Sequence, residues 1–462
     1  MEEIESFRDH LATVDKQGKR NWIYAQKPSG KLYNARNILS YLYFIMFFAG
    51  PFIKINGRPL FLLNVVEGRF ILFGAIFWPQ DFFIFGLAMV AFILFIVLFT
   101  MVFGRLFCGW ACPQTVFMEM LFRKIEYWIE GNAAAQKVLN RAPWHTEKIV
   151  KKTVKHILFY VLSFLIANTF LAYIIGIDNL QHIIEGPLSA HTGGLFTMLI
   201  FSGVFYGVFA FLREQVCTVV CPYGRLQGVL LDRDTVVVAY DYERGEPRGH
   251  FKKQEERSGG DCIDCLQCVK VCPTGIDIRN GTQLECVNCT ACIDACNFMM
   301  EKTGRPAGLI RYASENGIAN KQPLRFTTRS KVYSALLLII LSAISWMLLS
   351  RQPVSGAVMR TAGMLYQERG ADSITNLYRI KLVNKTTGNI VLNLKLEDAP
   401  GKIELLGQQQ IDVKAEDQGE GTFFVVLPRT SIKNRKTNLH IALYTGNIKT
   451  GSIKTTFLGP IQ

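Results

Sequence analysis

The chain has 462 residues, enough for about three domains. Half of them are hydrophobic, only 19% are charged, and mean hydropathy is +0.20. That excludes a purely soluble enzyme and a disordered chain, and fits a membrane protein with sizeable soluble parts. The net charge of +14 reads as basic flanks of membrane spans rather than a nucleic-acid surface. All 12 cysteines lie between Cys108 and Cys296, a clustering that suggests metal rather than a disulfide framework.

Residues 1–36 are polar and basic and lack the charged, apolar and cleavage-site order of a signal peptide. Apolar runs at about 37–53, 81–107, 155–177, 194–212 and 332–350 predict five spans, since a helix needs about 20 residues to cross a bilayer. Residues 59–78 are apolar but broken by Asn64, Glu67, Gly68 and Arg69, which predicts a re-entrant or interfacial segment. Lys and Arg are abundant in 1–36, 104–156 and 213–331 and absent from 178–193. This alternation predicts a cytoplasmic N-terminus and a periplasmic C-terminus. Residues 37–232 then form a four-span membrane core, 233–322 a cytoplasmic domain and 351–462 a periplasmic one. The last of these alternates apolar and polar residues, as in Leu377–Val383 and Ile390–Leu396, which predicts a β-sandwich.

The strongest motif is Cys262-x2-Cys265-x2-Cys268-x3-Cys272-Pro273, followed by Cys286-x2-Cys289-x2-Cys292-x3-Cys296. This is the spacing of a two-cluster ferredoxin, in which the fourth cysteine of each run ligates the other cluster. It assigns Cys262, Cys265, Cys268 and Cys296 to one [4Fe–4S] cluster, and Cys286, Cys289, Cys292 and Cys272 to the second. A zinc module built on CxxC pairs is the competing reading. The second run departs from the pattern, because Asn297 rather than Pro follows Cys296.

Two further motifs, Cys108-x3-Cys112-Pro113 and Cys217-x3-Cys221-Pro222, follow the second and fourth apolar runs. If helical, each places two sulfurs on one face, suited to a soft metal or to redox chemistry. Pro113 and Pro222 then restart the chain as helices. Buried structural cysteines are the alternative. Weaker candidates are His145, His156, His182 and His191, and Met118, Met120, Met299 and Met300; solvation or packing explains such residues more simply. No P-loop, dinucleotide fingerprint or serine-nucleophile motif is present.

The combination resembles the bacterial cytochrome c oxidase accessory family known as FixG, RdxA or CcoG. The stretch Gly104–Glu119 (GRLFCGWACPQTVFME) looks like its signature. The resemblance covers essentially the whole chain. It implies a polytopic α-helical inner-membrane protein with a ferredoxin-like α+β domain and an immunoglobulin-like tail. It also implies two [4Fe–4S] clusters and reduction of Cu(II) to Cu(I) for a cbb3-type oxidase. Copper would meet Cys108, Cys112, Cys217 and Cys221, and would pass to a copper transporter, a chaperone or oxidase subunits. The electron donor is not named by the sequence. A quinol-linked electron carrier and a non-enzymatic assembly scaffold are the alternatives.

Overall fold

The computed structural model describes residues 13–14, 17, 19–55, 57–64, 69–72, 75–77, 82–187, 192–250, 259–323, 327–350, 354–361, 365–370, 372–386, 388–407, 409–415, 417–432 and 434–460. It divides into two compact units, residues 1–74 with 86–341, and residues 75–85 with 342–462.

Among the described residues, four helices are long and apolar enough to cross a membrane: Phe83–Phe103, Thr146–Ile175, Thr192–Leu212 and Thr328–Leu349. The shortest have 21 residues, about 31 Å at 1.5 Å per residue. The expected fifth, at 37–53, does not meet that standard. It lies in a 19-residue helix, Lys31–Ala49, whose N-terminal turns carry Lys31, Asn34, Arg36 and Asn37. This helix nevertheless runs the length of the bundle. Arg36 reaches the cysteine-rich end, while the Met46 and Phe47 carbonyls accept from Tyr173 Oη near the far end of Thr146–Ile175.

The Thr146–Ile175 helix begins well before the expected 155, because Lys148, Lys151, Lys152 and Lys155 ride on its first turns instead of in a loop. Glu147 and Lys151 form an i,i+4 pair at 2.6 Å. The helix stops at Gly176, whose φ of 88° no β-carbon-bearing residue adopts cheaply. It packs on Thr192–Leu212 through Phe170, Phe201 and Phe205. Phe122, from the segment between spans, stacks on Phe209 at 4.4 Å and meets Phe159 edge-on. The 59–78 stretch contains no helix among its described residues; Phe61–Asn64 pairs antiparallel with Arg69–Leu72.

Residues 19–36 are not a free tail. Gln26 N–H donates to Lys270 O at 2.8 Å, and the Leu32 and Tyr33 N–H groups donate to the Asp294 carboxylate. The ferredoxin-like part is framed by Val237–Tyr240, paired antiparallel with Ile310–Ala313. Between these strands lie the helices Gln267–Lys270 and Ala291–Lys302. The second helix continues past Cys296 because Asn297 stands where the first run has Pro273. Asn297 Oδ1 in turn accepts the Gly308 N–H at 2.8 Å.

In the other unit, the tail is a sandwich. One sheet orders Lys402–Leu405, Gln418–Pro428, Ser373–Asn384 and Val354–Arg360, with Gln367–Arg369 also on Ser373–Asn384. The second orders Ile411–Val413, Ile390–Leu396, Lys436–Thr445 and Ile448–Leu458. Alternate residues of the long strands face inward and are buried, among them Ile374, Tyr378, Ile380, Phe423, Val425, Ile441 and Leu443. Tyr378 stacks on Phe423, and its hydroxyl donates across the sheets to Thr456 O at 2.9 Å. The expected strands at 377–383 and 390–396 both fall within these. The short edge strands 402–405 and 411–413 carry too few residues for alternation to stand out. Phe423→Ala is expected to destabilise the sandwich by about 3–5 kcal/mol, and Tyr378→Phe by about 0.5–1.5 kcal/mol. Thermal proteolysis of the tail in detergent-solubilised protein checks the order.

Candidate iron–sulfur and CxxxCP sites

Two small cavities lie in the ferredoxin-like part. Cys262, Cys265, Cys268 and Cys296 line one, closed by Tyr240 and Leu309. Cys272, Cys286, Cys289 and Cys292 line the other, closed by Val238 and Ile276, and Cys268 borders both. The two cysteine loops share one backbone solution. Asp264 and Leu266 in the first, and Asn288 and Thr290 in the second, take left-handed φ of 51–66° on either side of the middle cysteine. Such residues cost about 1–2 kcal/mol each and mark a loop bent for function. The bend aims backbone N–H groups at sulfur: Asn288 donates to Cys286, and Ala291 to Cys289. Arg279 pins the first loop through Asp277, at 2.6 Å, and Asp264.

The lining is sulfur on apolar walls. Burial pushes the Cys268, Cys286 and Cys296 thiols up to about 12, so these sulfurs stay protonated unless a metal replaces the proton. Soft donors in apolar cavities fit iron–sulfur clusters.

Neither CxxxCP motif holds both its cysteines on one helical face, as the spacing predicts. Cys108 lies within the helix Leu106–Trp110 and Cys217 within the π turn Val216–Val220. Cys112 and Cys221 are extended (ψ 126° and 111°) and cap the helices that Pro113 and Pro222 begin. The cause is the proline ring, which drives the residue before it out of the helical region. The motifs instead pack on each other. Cys108 lies within electrostatic reach of Cys112 and Cys221, and Cys217 within reach of Cys108, Cys112 and Cys221. The buried Gln227 Oε1 accepts from Cys108 Sγ at 3.1 Å and from Arg105 Nε at 3.2 Å. Thr115 Oγ1 lies 3.9 Å from Cys217 Sγ. Burial pushes Cys108 up to about 11 and Cys217 to about 12.

The paired motifs abut the second cysteine loop. Cys108 shares one buried apolar cluster with Val271, Val287, Cys289 and Ala291. Arg36 donates through Nε to Gly109 O at 3.0 Å and through Nη1 to Cys289 O at 2.9 Å. Trp110 Nε1 donates to Tyr312 Oη at 3.1 Å. A small cavity opens beside Cys217, bounded by Glu119, Glu214, Pro273 and Val287.

Residues 212–315 match the family model of a 4Fe-4S dicluster domain, 85–132 that of a 4Fe-4S binding domain, and 344–460 that of an IG-like fold at the C-terminal of FixG. Protein RdxA of Cereibacter sphaeroides is 35% identical over 383 residues, covering 80% of each chain. Protein RdxB of the same organism is 34% identical over 413 residues, covering 83% of this chain and 86% of RdxB. Nitrogen fixation protein FixG of Rhizobium meliloti is 31% identical over 427 residues, covering 83% of this chain and 80% of FixG. The chain belongs to the FixG and RdxA family. As a member of the FixG and RdxA family it is an iron–sulfur membrane protein of the oxidoreductase type.

The remaining candidates in this FixG-type chain fall elsewhere. His156 Nδ1 bonds Tyr206 Oη at 2.9 Å, and His145 Nδ1 bonds Pro143 O. His182 sits on the helix Ile177–Glu185, and His191 lies outside the described residues. Met120 is buried in the membrane part, while Met118 lines the Cys217 cavity. Met299 and Met300 line the first cluster cavity. Sequence reading missed a buried ion network below the CxxxCP motifs. Arg213 pairs with Glu126 at 2.6 Å, Lys155 with Glu130 at 2.8 Å, and Arg20 with Glu214 at 2.9 Å. Burial alone would raise the Glu126 carboxyl, but Arg213 and Lys155 hold it below its ordinary value. The only sequence signal was Glu126 and Glu130 at i,i+4.

A β-carbon at Gly109 would sit 2.4 Å from Val287 O. Gly109→Ala is therefore expected to cost about 1–3 kcal/mol and to loosen the contact. Amide exchange should quicken across residues 286–292 and stay unchanged in the sandwich.

Proposed function

We propose that the protein is a cupric reductase: electrons pass through the two ferredoxin-type clusters to the CxxxCP cysteines, where Cu(II) becomes Cu(I) for assembly of a cbb3-type oxidase. The observation that carries this is the seating of Cys108 against Cys289 and Val287 in one buried apolar cluster. Cys262, Cys265, Cys268 and Cys296 would hold one [4Fe–4S] cluster, and Cys272, Cys286, Cys289 and Cys292 the other. When bound, these clusters supply one-electron carriers. Arg36 and Gly109 keep the CxxxCP motifs in contact with the second cysteine group. Each Cu(II) accepts one electron, and thiolate sulfur favours the Cu(I) product. Cu(I) then leaves for a copper transporter, a chaperone or oxidase subunits. A cellular reductant of unassigned identity refills the clusters.

Replacing Cys108, Cys112, Cys217 and Cys221 by Ser should lower Cu(II) reduction by dithionite-reduced protein at least about 10-fold, the lower end of what even outer-shell changes cost a metal site. Unchanged reduction with the ferredoxin-type spectroscopic signals intact would sink the copper reading. A quinol oxidation assay on the same samples tests the quinol-linked alternative.

The same reading places the protein in the bacterial inner membrane, with the basic N-terminus and the cluster domain in the cytoplasm and the sandwich in the periplasm. Lys31–Ala49 supplies the fifth crossing, supported by its run along the bundle from Arg36 to Phe47. A reporter fused after Gln462 should read as periplasmic and one inserted near Gly259 as cytoplasmic; matching signals would refute the crossing by Thr328–Leu349.

A further inference from the structure

We infer that Cys108, Cys112, Cys217 and Cys221 form one four-thiolate site for a third iron–sulfur cluster of the [4Fe–4S] type, rather than two separate copper pairs. The inference rests on the electron route of the proposed function and revises its last step: a cluster held by these four cysteines, rather than the bare thiolates, would pass the electron to Cu(II).

The first argument is convergence. The two motifs stand more than a hundred residues apart in sequence, yet Cys217 lies within electrostatic reach of the other three cysteines and Cys108 within reach of Cys112 and Cys221. Each motif contributes one sulfur from a short helical turn and one from an extended residue ahead of proline. The scaffold holds the motifs together at close range. Gln227, from the helix after Cys221, takes hydrogen bonds from both Arg105 and Cys108. At Gly224 a β-carbon would lie 2.7 Å from both Arg105 Nη2 and Cys217 O, so only glycine fits there.

The second argument is likeness to the ferredoxin-type sites. Like each of those, this site draws four cysteines from two separate runs of the chain. Like those, it lies among buried apolar side chains, with Cys108 packed on Val271, Val287 and Ala291.

The third argument is charge. A cube in its oxidised state with four thiolates carries a net charge of about −2, and the site offers compensation. Arg105 is buried beside Cys108 and lowers the cost of its thiolate. Cys112 and Cys221 each cap a helix N-terminus, where the macrodipole is positive. The first of these helices runs on without a break from Pro113 to Ile129. The stretch 85–132, matched to a 4Fe-4S binding domain, holds only Cys108 and Cys112. The fold supplies the two ligands it lacks.

The test is iron and acid-labile sulfide per full-length chain, reconstituted anaerobically in detergent with iron and sulfide, together with the EPR spectrum after dithionite. The expected value is about 12 irons, four for each of three sites. Cys112→Ser and Cys221→Ser, one from each motif, should each remove the same EPR signal and about four irons. About eight irons in the unaltered protein would overturn the inference, whatever the variants do. So would loss of different signals, or none, in the two single variants. Cu(II) reduction measured on the same samples separates the two ideas. Reduction lost in the variants with iron constant at eight keeps the copper reading and removes the third cluster. Iron falling from twelve to eight with reduction intact does the reverse.

Discussion

The arrangement of this protein depends on a single guanidinium. Arg36 is buried, and it binds the Gly109 carbonyl of one CxxxCP motif and the Cys289 carbonyl of the second cysteine loop together. A buried charge must be hydrogen-bonded to be tolerated, so both carbonyls are held at fixed positions. The contact beneath it is so close that only glycine fits at 109. Three parts of the chain distant in sequence thus meet at one point: the first helix, the turn after Phe103 and the ferredoxin-type loop.

Around that point, polar and apolar forces divide the work. The apolar cluster of Cys108, Val271, Val287 and Cys289 keeps water out of the space between the cysteine groups. Below it, Glu126, Arg213, Lys155 and Glu130 form a buried network whose members neutralise one another. Removing one member of such a network leaves a partner charge uncompensated, which costs far more than the pair contributes. The network therefore fixes geometry more than it adds stability.

Much of this was legible in the sequence. The two ferredoxin-type runs group their cysteines by spacing, and the cavities are lined by the same two groups. Period-two alternation marked the long sandwich strands because each has one buried face. The helix Lys31–Ala49 was harder to read. Two of its polar residues, Arg36 and Ser40, are buried against protein, so hydropathy understates its reach along the bundle. The CxxxCP motifs misled more specifically. A spacing of four suggests one helical face, but proline after the second cysteine breaks the helix between them. The convergence of the two motifs is a tertiary fact. It rests on Gln227, Gly224 and Arg105, whose contacts with one another and with the cysteines no spacing reveals.

The tie made by Arg36 also has a consequence for biosynthesis. Its partner Cys289 lies 253 residues further along the chain. At about 5–20 residues per second, the ribosome delivers that partner roughly 13–50 s after Arg36 emerges. For most of that interval the arginine has only the Gly109 carbonyl, 73 residues on, to bind, and lacks the Cys289 half of its tie. Membrane insertion must therefore run ahead of tertiary closure, and the N-terminal segment has to remain available until the second cysteine loop has been synthesised and shaped.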